Sequence, residues 1–187
     1  GIILMTSGMV MFGAADAMAK LLTETLHPFQ IIWFRYMGLV AAAVVILAIR
    51  GLAALRTQKP GLQLARGACA ASSATLFVIA VSFVPLADAV AVAFVAPFMV
   101  TVLAALLLRE PVGIRRWIAV TVGFLGAMVV IRPGLGAVHP AAMLVLGAAG
   151  LFALRQIISR FLSHTDKTET TIVYTALVGL AIMTVPL

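Results

Sequence analysis

Seven apolar stretches, each close to one membrane thickness long and joined by short polar connections, decide what this chain can fold into. They run over Ile2–Leu22, Phe29–Ile49, Gly67–Val84, Ala89–Leu108, Trp117–Ile131, Ala141–Phe161 and Thr170–Leu187. A helical span takes about 20 residues; the fifth stretch is short and is expected to borrow flanking residues. In lipid each backbone N–H and C=O must be bonded within the protein, which leaves helices or closed barrels. No strand-like alternation is present, so the expected fold is an all-α membrane protein, a polytopic helical bundle. Composition agrees. Hydrophobic residues make up 64% and charged residues 10%, too few charges to cover a water-facing surface.

The net charge of +7 reads as topology, not as nucleic-acid binding, because Lys and Arg collect in cytoplasmic loops. Arg50, Arg56, Lys59, Arg66, Arg109, Arg115, Arg116, Arg160 and Lys167 fall on one side of the alternating spans. Lys20 and Arg132 fall on the other. The N-terminus is therefore expected in the cytoplasm. Cys69 is the one cysteine and excludes an intrachain disulfide. Span one lacks an A-x-A cleavage pattern and is expected to be retained. His27, His139 and His164 lie in separate loops, so no metal site and no cofactor are expected. Motifs of hydrolases and nucleotide enzymes (HExxH, GxSxG, the P-loop) are missing, and no catalytic residue is assigned. Trp117 belongs to an interfacial aromatic belt.

Span six repeats span one faintly. Phe12-x3-Asp16-x3-Lys20-x-Leu22 returns as Phe152-x3-Gln156-x3-Arg160-x-Leu162, at an offset of 140 residues with eight identities over 47 positions. Phe34-Arg35 in span two aligns with Tyr174-Thr175 in span seven. Five spans fill the offset, and an odd number turns the second copy upside down. Inverted repeats around a midplane site characterise secondary transporters. Arg132-Pro133-Gly134 through His139-Pro140 is the expected boundary between copies.

Several spans carry polar groups. A charge at mid-membrane costs roughly 2.5–3.5 kcal/mol on insertion scales. Arg35, in Trp33-Phe34-Arg35-Tyr36, therefore faces a cavity or partner, or else snorkels to the headgroups. Asp16 and Lys20 share a helix face at i, i+4: they pair, or the deeper Asp16 binds a cation, a proton or a cationic substrate group. Arg155 and Gln156 lie inside span six, and the repeat brings Gln156 toward Asp16; helix–helix hydrogen bonding is the alternative. Ser72, Ser73 and Thr75 among small residues of span three read as close packing first and pore lining second. Pro97 kinks span four, and Pro85 sits at a tight bend between spans three and four. Gly123 and Gly126 admit another helix closely, which leaves a homodimer open, although their spacing is not GxxxG.

In order and spacing these residues resemble the EamA branch of the drug/metabolite transporter superfamily. The resemblance rests on Asp16-x3-Lys20 followed by Pro28-Phe29-Gln30-x4-Phe34-Arg35. It continues through Ala70-Ala71-Ser72-Ser73-Ala74-Thr75-Leu76-Phe77 to Ala96-Pro97 and Leu108-Arg109-Glu110-Pro111. It ends with Trp117, Gly123 and Gly126 leading to Arg132-Pro133-Gly134. It implies ten helices in two inverted five-helix repeats, seven of them within this chain. Residues 1–134 form the first repeat and 135–187 the start of the second, with three further helices expected beyond Leu187. It implies a structural role for Glu110 with Arg115 or Arg116. It also implies a bacterial inner-membrane transporter working by alternating access on a small metabolite: amino-acid-like, S-adenosylmethionine-like or drug-like. A lipid-modifying membrane enzyme and a non-transporting scaffold are the competing classes. The substrate-contact set is Asp16, Lys20, Trp33, Arg35, Ser73, Phe77, Pro97, Arg155, Gln156 and Tyr174; the partners are that solute and the bilayer, with no nucleic acid.

Overall fold

A computed structural model describes residues 2–107, 113–131 and 140–184, and the described residues form eight α-helices. They are α1 (Ile2–Leu22), α2 (Pro28–Arg50), α3 (Pro60–Phe83), α4 (Leu86–Ala93), α5 (Ala96–Leu107), α6 (Ile114–Ile131), α7 (Ala141–Leu162) and α8 (Thr168–Thr184). A 3-10 turn, Gly51–Leu55, follows α2. No strand occurs among the described residues. Five helical segments are long and apolar enough to cross a membrane: α1, α2 with its 3-10 turn, α3, α4 joined to α5, and α7. The apolar α8 is shorter, and α6 carries Arg115 and Arg116 in its first turn. Leu108-Arg109-Glu110-Pro111, Arg132 through His139, and the last three residues lie outside the described residues, and with them the role expected of Glu110.

Local chemistry explains where the helices start and break. Pro28 and Pro60 open α2 and α3, where a missing N–H costs nothing. The His27 N–H donates to Gln30 Oε1 at 3.2 Å, which ties down the entry to α2. Because α3 begins at Pro60, Arg66 sits inside the helix and not in the preceding loop. Span four is two helices. The ring of Pro97 collides with the carbonyl four residues back, and that residue, Ala93, is where α4 ends. The hairpin expected at Pro85 is present, tighter than expected: Val84 and Pro85 alone separate α3 from α4.

The packing centre is the seam between α3 and α7. Ala70, Ala71, Ala148, Ala149 and Ala153 are buried along it. Side chains this small let two backbones approach, which in lipid supplies the dispersion contact that association depends on. Ser73 Oγ crosses the seam to the Ala148 carbonyl at 2.8 Å. Next to it α8 packs on α2 and α3. Tyr36 of α2 lies flat on Gly179 of α8, where a Cβ would fall inside its ring. By contrast α1 has one buried residue, Ala19, and α6 has none among its described side chains. Their apolar residues, among them Met5, Val10, Ile118 and Val122, suit a lipid environment.

One end of the bundle is tied by polar groups. Asp166, in the α7–α8 turn, accepts the Thr57 hydroxyl, Gln63 Nε2 at 2.6 Å and the Gln58 N–H at 3.5 Å. Gln63 is fully buried and also donates to Thr171 Oγ1 at 3.3 Å. Arg50 pairs with Glu169 at 3.2 Å. Tyr174 donates its hydroxyl to the Leu55 carbonyl at 3.3 Å. The α2–α3 connection and the α7–α8 turn are thereby stitched together. Slight burial raises the Asp166 pKa; hydrogen bonds from Thr57, Gln63, Gln58 and Thr165 outweigh it and hold the carboxyl below its ordinary 3.8.

Two outcomes are expected. Gly179→Ala forces Tyr36 aside and lowers unfolding stability in detergent by about 1–3 kcal/mol, while Ala181→Gly, on the same helix, leaves the Tyr36 contact in place. Asp166→Asn loosens the stitched end by about 1 kcal/mol or less, since solvent still screens a half-buried carboxylate. A depressed carboxyl contributes fully above its unfolded pKa and loses its effect as pH falls through the lower folded value. The wild-type minus Asp166→Asn difference is therefore flat from pH 5 to 8 and shrinks only in acid, as thermal unfolding across that range would record.

Candidate functional site

A cavity of about 980 Å³ opens in the middle of the bundle. Its walls come from six segments: Met9, Phe12, Gly13 and Asp16 of α1; Ile32, Arg35, Tyr36 and Leu39 of α2; Ala70, Ser73, Ala74 and Phe77 of α3; Leu86 to Pro97 across the α4–α5 break; Val145 to Arg155 of α7; and Thr175 of α8. On α3 these residues start ten positions past Pro60 and run toward the Phe83 end; on α7 they start near Ala141. The cavity thus occupies the half of the bundle nearer the α1–α2 and α3–α4 turns, opposite the end stitched through Asp166.

Its chemistry is apolar with a few charges. Arg35 reaches Asp16 at 3.3 Å, with side chains 31% and 14% exposed respectively. The pair joins α1 to α2 across the wall. Asp16 therefore pairs with Arg35 and not with Lys20, the i, i+4 neighbour. Deeper in, Arg155 folds back over the Phe152 ring, 4.7 Å from its centroid, in cation–π contact. Phe12, Tyr36 and Phe77 add aromatic surface. Behind Thr175, Arg66 donates from Nε to Ser159 Oγ and from a terminal nitrogen to Thr175 Oγ1, both at 2.7 Å.

Of the residues expected to contact a solute, Asp16, Arg35, Ser73, Phe77, Pro97 and Arg155 line this cavity. Four do not. Lys20 donates to the Val81 carbonyl at 2.6 Å and the Val84 carbonyl at 3.4 Å, capping orphan carbonyls at the end of α3 and strapping α1 to it. Trp33 packs against the Ile31–Tyr36 cluster. Gln156 is exposed and does not approach Asp16, and Tyr174 turns to Leu55. Each of the last three is displaced by one position: Ile32, Arg155 and Thr175 take the inward place. One residue is about 100° around a helix, enough to leave the lining face. Phe12 and Phe152, aligned by the internal echo, both reach the cavity. Arg66 lies in α3 and not among the loop charges; the signal in the sequence is Lys59-Pro60, a helix-opening proline.

The fold and site define a polytopic helical membrane protein with a solute-sized central cavity. Residues 1–132 match the EamA-like transporter family, and the chain belongs to that family. It is 27% identical over 163 residues to an S-adenosylmethionine uptake transporter of Rickettsia prowazekii, covering 87% of this chain and 55% of that one. It is 35% identical over 124 residues to a riboflavin transporter of Rhizobium johnstonii, covering 66% and 41%. A riboflavin transporter of Brucella anthropi is 32% identical over 146 residues, covering 78% and 51%. The chain spans about half the length of these curated relatives. A protein crystal structure superimposes with a TM-score of 0.71 at 19% identity, over 91% of this chain and 60% of that one, a likeness of fold.

The Asp16–Arg35 pair yields a double-mutant prediction. Asp16→Asn and Arg35→Gln each strand a partly buried partner. Together they are expected to cost less than the sum, with a coupling of about 1 kcal/mol, read from unfolding midpoints of the two single variants and the double variant.

Proposed function

We propose that this chain is the larger part of a bacterial inner-membrane transporter that moves a small metabolite by alternating access. The carrying observation is the cavity: about 980 Å³ lies at the upper end of the range that holds metabolites, and it is walled by helices from both sides of the 132–139 segment. In this reading residues 1–134 are one five-helix repeat, residues 135–187 open a second of inverted topology, and ten helices complete the protein. The excess of Lys and Arg in the loops supports a cytoplasmic N-terminus. The end stitched by Asp166, Thr57 and Gln63 is then the closed cytoplasmic side, and the cavity belongs to an outward-facing state. Asp16, Arg35, Ser73, Phe77, Pro97 and Arg155 contact the solute, with Phe12, Tyr36 and Phe152 added by the geometry.

The solute is amino-acid-like, S-adenosylmethionine-like or drug-like. The named relatives, transporters of S-adenosylmethionine and riboflavin, make those two compounds the first to assay. Neither catalysis nor a cofactor enters this reading. The full-length gene product in cells is expected to take up or extrude one of these labelled solutes. Arg155→Ala, Arg35→Ala or Asp16→Asn is expected to reduce the rate at least about tenfold, since each removes a charge-assisted contact. Transport at wild-type rate in all three variants would sink the site assignment.

A further inference from the structure

The charge balance around the cavity does not close. Asp16 is spent on Arg35. Arg155 lines the cavity, and no carboxylate lies within ion-pair distance of it among the described residues; its Nε is buried without a hydrogen-bond partner. Among the described residues Arg66 is bonded to the neutral hydroxyls of Ser159 and Thr175. Arginine cannot shed its proton to escape this.

Snorkelling does not account for Arg155. Helical side chains lean toward the helix N-terminus, and the guanidinium lies on Phe152, three residues back. It points toward the middle of the bundle and away from the nearer end at Leu162. Roughly 20 Å of helix separates it from Ala141, against about 10 Å between Arg35 and Pro28. The cavity therefore has a neutralised ion pair near its mouth, an aromatic belt of Phe12, Tyr36 and Phe152, and, among the described residues, positive charge without a counter-ion at its floor.

From this juxtaposition we infer that the solute carries an oxyanion group. Its oxyanion group, a carboxylate or a phosphate, docks on Arg155 with Arg66 reinforcing the field from behind, and its apolar body lies along the aromatic belt. The inference rests on the cavity being the solute site. It disfavours a solute whose leading group is a cation, because a preorganised positive floor in a low-dielectric wall repels it.

A thiol placed in the wall reads the field without the natural solute. In the full-length protein, Ala74→Cys on a Cys69→Ala background is labelled with sulfonatoethyl methanethiosulfonate (anionic) and its trimethylammonium analogue (cationic). The anionic-to-cationic rate ratio is expected to exceed that of 2-mercaptoethanol at least about tenfold. Arg155→Gln and Arg66→Gln should each lower it, and Arg155→Lys should retain it. A ratio equal to that of 2-mercaptoethanol, or one unmoved by both Gln variants, overturns the inference while leaving the cavity standing. Failure of both reagents on a thiol that reacts after denaturation overturns the open cavity itself, and the inference with it. Protection completes the test: 3-phenylpropionate or phenyl phosphate should slow labelling, separating carboxylate from phosphate. Equal protection by neutral 3-phenylpropionamide would count against an anion.

Discussion

Close approach of α3 to α7 is the contact on which the rest of the bundle depends. It is made by alanines, with Ser73 reaching a backbone carbonyl across the seam. In lipid no hydrophobic force separates helix–helix from helix–lipid contact, so association relies on packing that lipid chains cannot match. The seam supplies it. With α7 pinned there, α8 falls onto α2 and α3, and the space left between α1, α2, α4, α5 and α7 becomes the cavity. A bulkier seam would push α7 away and fill or flatten that space.

Polar bonds then divide the two ends of the molecule. At one end Asp166 and Gln63 gather donors from the α2–α3 connection and the following helix. At the other, Lys20 covers carbonyls left at the end of α3. Neither set touches the cavity. They hold its walls at fixed ends while its middle stays apolar and open, and the charges that do reach it, Asp16, Arg35 and Arg155, come from helices that are otherwise greasy.

Much of this was legible in the residues. The helices follow from apolar runs of membrane length, and their starts from Pro28 and Pro60. The inward places of Asp16, Arg35 and Arg155 follow from the cost of hiding a charge. What could not be read was rotation about the helix axes. These helices are apolar nearly all round, so no amphipathic stripe says which side faces in. Expectations at Trp33, Gln156 and Tyr174 missed the lining face by one residue for that reason. The break in span four was placed at Pro97 although its steric effect acts four residues upstream, at Ala93. Arg66 and Gln63 were hidden by treating the residues after Pro60 as loop.

The sparse attachment of α1 has a mechanical meaning. Its buried residue, Ala19, and its polar ties, Asp16 and Lys20, all lie in its last two turns. The helix is about 31 Å long, so it is a lever with its fulcrum at the Leu22 end. A tilt of about ten degrees there swings the Ile2 end by roughly 5 Å, Phe12 by about half of that and Asp16 by about a third. The wall that carries Phe12 therefore travels farther than the ion pair at its foot.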